Sequence, residues 1–156
     1  MRNYGFWVVN EAVLDSTLAK VTNLKYRGAQ AFLDDLAAFG SANQMPALVM
    51  MRLGNDQATD QTLGIIADAV SRSRFWASTG IFVVGPGRSA LLISPYTHTG
   101  ATDSNMYNTT SVLRTMELIL HLHPMTHFDA GARPMIACFS QQASPEPFQA
   151  VGPAEK

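Results

Sequence analysis

The sequence predicts an α/β fold, an α/β sandwich in which helices alternate with buried strands. Three observations carry this. Apolar residues recur at helical spacing in three stretches, short continuous apolar runs stand between them, and Gly or Pro separates the two kinds of segment. The 156 residues are 47% hydrophobic and 15% charged, which suits one globular domain with a real core. Residues 1–140 are expected to form that domain, and 141–156 an irregular tail opened by Ser144-Pro145-Glu146-Pro147.

Phe32, Leu33, Leu36 and Phe39 follow Gly28 at helical spacing, so a helix is predicted near 28–40, ended by Gly40-Ser41. Pro46 to Leu53 is a short apolar run, the pattern of a strand covered on both faces, and Gly54-Asn55-Asp56 is a turn. Thr59 is the expected cap of a second helix with Leu63, Ile66, Ala67 and Val70 on its apolar face. Thr79–Val84 and Ser89–Ser94 are two further strands. The Gly85-Pro86-Gly87-Arg88 link between them is too short for a parallel crossover, so they must pair antiparallel. Ser104 is the expected cap of the longest helix, whose core face carries Val112, Leu113, Met116, Ile119 and Leu120. Beyond Pro124 the chain reads as irregular.

Composition excludes several functions. A net charge of −1 without a basic run argues against an extended nucleic-acid surface. No apolar stretch approaches the ~20 residues of a membrane span. The apolar run Phe6-Trp7-Val8-Val9 is too short for the core of a secretory signal, so no export signal is expected. A lone cysteine, Cys138, allows no internal disulfide.

Several phrases, in order, resemble the C-terminal half of the metal-dependent phosphoesterases, the bacterial phospholipase C and acid phosphatase branch of the alkaline phosphatase superfamily. They are Met45-Pro46-Ala47-Leu48, Arg52-Leu53-Gly54-Asn55-Asp56, Ser71 to Trp76, and Leu92-Ile93-Ser94-Pro95-Tyr96 with Gly100. Tyr107 to Glu117, Pro124 to Ala130 and Arg133-Pro134-Met135 complete the series. Members fused to β-propeller repeats are especially similar. The resemblance implies an α/β/α sandwich on a mixed sheet, here a truncated alkaline-phosphatase-like core. It also implies hydrolysis of phosphate esters by bound divalent metals, held by carboxylates and imidazoles. Family members are often exported.

Carried over position by position, the resemblance leaves little of that chemistry. Asn55 and Asp56 match the family's metal turn, with Asp56 the remnant ligand, but Gln57 replaces the expected His and cannot take up a proton. The strand ending at Val84 should run into an Asp pair and then a His loop. Instead it meets Gly85-Pro86-Gly87, and Arg88 corresponds to the residue after that loop. The link after Asp56 is short, with Thr59-Asp60-Gln61 in place of a longer connection, and the family's nucleophile half has no counterpart. No catalytic residue and no cofactor is therefore expected, and Asp56 is better explained as a turn-forming residue than as a ligand.

Outside the resemblance, His98 lies in a loop after a strand, a common place for ligand contacts, although a solvated His explains it as well. His121, His123 and His127 invite a zinc site. A spacing of two on a helix splits side chains between faces, however, and cationic groups favour helix C-termini anyway. Ser111 and Thr115 lack a nucleophile-elbow motif. The expected partner is another protein or a second copy of the chain, because about half of a sandwich leaves a sheet edge exposed.

Overall fold

A computed structural model describes residues 2–4, 28–51, 57–85, 90–98 and 103–149. The fold is mixed α/β. The chain divides into two compact units, residues 1–75 with 147–156, and residues 76–146.

In the first unit, β1 (Arg2–Tyr4) pairs in parallel with β2 (Val49–Met51), Asn3 opposite Met50. Helix α1 spans Gly28–Ala42 and α2 spans Gln57–Ser71. Phe32, Leu36 and Phe39 of α1 are buried, as are Ile66, Ala67 and Val70 of α2, so the two apolar stripes read from the sequence do make the core. Helix α1 runs past Gly40-Ser41. Its stop is Asn43 in the left-handed region (φ 50°), with the Gln44 N–H donating to the Phe39 carbonyl at 3.1 Å and the Asn43 N–H to that of Gly40 at 3.3 Å. That six-to-one and five-to-two pair is a Schellman closure, with Asn tolerating a conformation most residues avoid. Helix α2 begins two residues before Thr59, which therefore lies inside the first turn and is not its cap. Of the expected tail, Phe148 is held here, its N–H donating to Ser71 Oγ at 2.8 Å.

In the second unit, β3 (Ile81–Val84) and β4 (Ala90–Ile93) pair antiparallel, Ile81 opposite Ile93 and Val84 opposite Ala90. This is the pairing a short link requires; residues 86–89 of the link lie outside the described residues. Among the described residues the strands form two separate two-stranded sheets.

Helix α3 is Thr109–Ile119, shorter than α1 and α2, and starts four residues later than a Ser104 cap would place it. Asn108 is the cap. Its Oδ1 accepts the Ser111 N–H at 2.9 Å, and Ser111 Oγ accepts the Asn108 N–H at 3.3 Å, a reciprocal capping box. The buried face differs from the predicted one as well. Val112 is buried, but with Ser111, Thr115 and Glu117, while Ile119 is exposed.

Past Pro124 the chain is not wholly irregular. A one-turn helix α4 (His127–Ala130) and a 3-10 turn (Ile136–Cys138) follow. Thr115 ties this segment to α3: its Oγ1 donates to the Ser111 carbonyl at 2.7 Å and accepts the Met135 N–H at 2.9 Å. Both Thr115 and Met135 are buried, so Thr115→Val strands the Met135 N–H away from water. The expected loss is about 1–3 kcal/mol of unfolding free energy, read as a lower denaturant midpoint at unchanged slope.

Candidate functional site

Asn55 and Asp56 lie outside the described residues, and Gln57 is the first residue of α2. His98 is exposed. It comes after the turn closed by Thr97 Oγ1 on the Ser94 carbonyl (2.6 Å), and its N–H donates to the Cys138 carbonyl at 3.1 Å. Thr97 and Phe139 form a β-bridge beside it, so the backbone of this loop is held while the imidazole stands in solvent.

The three remaining histidines occupy separate structural roles. His121 sits in the left-handed region (φ 55°) just past the end of α3, where its N–H and that of Leu122 close a second Schellman turn on Leu118 and Glu117. His123 lies in the next loop, and His127 opens α4; all three side chains are exposed. Among the described residues no three His, Cys, Asp or Glu side chains come together as a metal site.

The structure instead assembles a polar cluster beside the His98 loop that no local motif announces. Asp103 accepts the N–H (2.9 Å) and side-chain amide (2.6 Å) of Asn105 on one oxygen. Its other oxygen accepts the Tyr107 hydroxyl at 2.7 Å and the Cys138 thiol at 3.8 Å. Arg133 donates to Asn105 Oδ1 at 2.7 Å, closing the cluster. The Asn105 N–H and then the Tyr107 hydroxyl hold the Asp103 carboxyl below its usual range. Tyr107 is pushed up to about 12, by burial first and then by its bond to Asp103. Burial, then the Asp103 charge, also pushes the Cys138 thiol up. A nucleophilic cysteine needs the opposite environment, one that lowers its thiol. The cluster therefore stores protons on Tyr107 and Cys138 and activates neither. Only the Asp103-Ser104-Asn105 turn could have been suspected from sequence; Arg133 and Cys138 are brought in by the fold.

Deeper in the same unit lies a pair of buried acids. Asp129 accepts the Met125 N–H at 2.7 Å, the Thr126 N–H at 2.8 Å and the Thr126 hydroxyl. The Thr126 hydroxyl above all, with the Met125 N–H, holds Asp129 well below the ordinary carboxylate range. Glu117 accepts from Arg114 at 3.3 Å and reaches the same Met125 N–H at 3.4 Å. Every acceptor bond here is spent on the chain itself, a structural arrangement.

Comparison with known protein families, with characterised proteins and with solved structures finds no match.

The cluster makes one prediction. Cys138 should react slowly with a thiol reagent in the folded protein, and Asp103→Asn, by removing the adjacent negative charge, should speed it several-fold at fixed mildly alkaline pH. Labelling followed by mass spectrometry checks this; an unchanged or slower rate in Asp103→Asn contradicts the assignment.

Proposed function

We propose that this chain is a phosphoesterase-like domain without a working hydrolytic centre, its parent architecture the α/β/α sandwich and mixed sheet of an alkaline-phosphatase-like core. The observation that carries the reading is the β3–β4 hairpin. Val84 and Ala90 are paired, so the link between them is five residues, Gly85-Pro86-Gly87-Arg88-Ser89. In the resembled family this place bears an Asp pair and a His loop. Here it offers no carboxylate and no imidazole, and it adds a guanidinium. Such a donor set does not fit a divalent cation, which needs several oxygen or imidazole ligands.

The buried groups support the same reading. Asp129, Glu117, Ser111 and Thr115 are committed to helix caps and to joining α3 with the segment from Met125 to Met135. These are scaffold roles.

A second reading, a non-catalytic assembly subunit that uses the scaffold for protein contacts, is favoured by exposed apolar side chains such as Leu91 on β4 and Phe128 on α4. A stable oligomer would speak for the assembly subunit, whereas a tight stoichiometric divalent ion would speak against both readings.

The test is turnover of an aryl phosphate with magnesium, manganese, calcium or zinc supplied, comparing wild type with Asp56→Ala from the same host. Equal, near-background rates are expected. Turnover well above background in wild type that Asp56→Ala abolishes would overturn the reading.

A further inference from the structure

At the end of α3 and around α4, large apolar side chains are turned to solvent: Leu118 is 41% exposed, Ile119 52%, Leu122 56%, Met125 70% and Phe128 83%. They are not the loose ends of a mobile loop. The Leu122 N–H is bonded to the Glu117 carbonyl at 2.8 Å and the Met125 N–H to Asp129 at 2.7 Å, while Phe128 rides on the capped turn of α4. The backbone that presents them is therefore pinned from inside, and a surface held this way loses little freedom on binding.

Charge is missing from the same stretch. Between Leu118 and Gly131 the only ionisable side chain besides His121, His123 and His127 is that of Asp129, which is buried. We propose that this face is a self-association surface and that its occupant is a second copy of the chain, related by a two-fold axis. A two-fold contact needs one patch only, set against itself, and a patch without an exposed carboxylate, lysine or arginine does so without burying such a charge unpaired.

Area decides whether the patch suffices. With on the order of 200 Å² for a fully exposed large side chain, the five residues present roughly 600 Å², above the few hundred Å² at which an apolar patch signals a contact site. Two copies would bury roughly 1,200 Å² in all, the lower end for a specific protein interface. A reversible dimer is the expected product. Exposure and charge alone define this surface, so it stands whether or not the phosphoesterase reading does.

The test is sedimentation equilibrium of the full chain across a wide concentration range, for wild type, Phe128→Glu, Met125→Glu and, as a control on the hairpin, Leu91→Lys. All three substituted side chains are exposed, so each variant should fold, which circular dichroism checks. Wild type and Leu91→Lys are expected to dimerise alike, with the two glutamate variants weakened about tenfold or more. A wild-type monomer at every concentration overturns the proposal. So does a dimer that survives Phe128→Glu and Met125→Glu, and so does one lost in Leu91→Lys.

Discussion

Glu117 and Asp129 are 2% and 1% exposed, and a carboxyl group taken that far out of water must be given partners or it destabilises the fold. The chain gives them the Met125 N–H in common, with Arg114 on one side and the Thr126 N–H and hydroxyl on the other. Much of the second unit depends on this. Meeting Asp129 fixes where the chain turns after α3, and that turn puts His121 into a left-handed conformation that a non-glycine side chain adopts at a cost. Asp129 is also the third residue of the α4 capping box, so a helix of one turn survives without length or propensity to support it.

The phrases that resemble a phosphoesterase carry structural tasks in this chain. Asn108-Thr109-Thr110-Ser111 is a capping box, Thr126-His127-Phe128-Asp129 is another, and Met135 of Arg133-Pro134-Met135 donates its N–H to Thr115. These tasks, with Gly85-Pro86-Gly87 standing where the resembled family has an acidic tip, are what support our proposal of a scaffold rather than a reaction. The outward face built on Leu122, Met125 and Phe128 is a consequence of the same turn, because anchoring the backbone inward leaves those side chains to point out.

Features that repeat were legible in the sequence. The stripes of α1 and α2 are spaced by helix geometry, and the antiparallel pairing of β3 with β4 comes from a link too short for anything else. Devices made of one side chain and one backbone group carry no period. Asn108 could not be preferred to Ser104 as a cap, since both residue types cap well and the choice depends on where Ser111 falls. Nothing in the sequence marks Glu117 for burial, and the Met125 N–H that it meets lies eight residues on. The Asp103–Tyr107–Cys138 cluster joins positions 35 residues apart, and only folding shows that they meet. Asn55 and Asp56 were singled out from a resemblance, and the described residues do not include them.

The dependence of this unit on its buried acids is tested most directly by amide hydrogen exchange at Met125 and Thr126, in wild type and in Asp129→Asn. In wild type both amides should exchange only through global unfolding, as slowly as the core amides of α3. In Asp129→Asn both should open locally and exchange much faster, while the α1 and α2 amides keep their protection. Fast exchange at Met125 and Thr126 in the wild-type protein, or equal protection in the variant, would contradict that dependence.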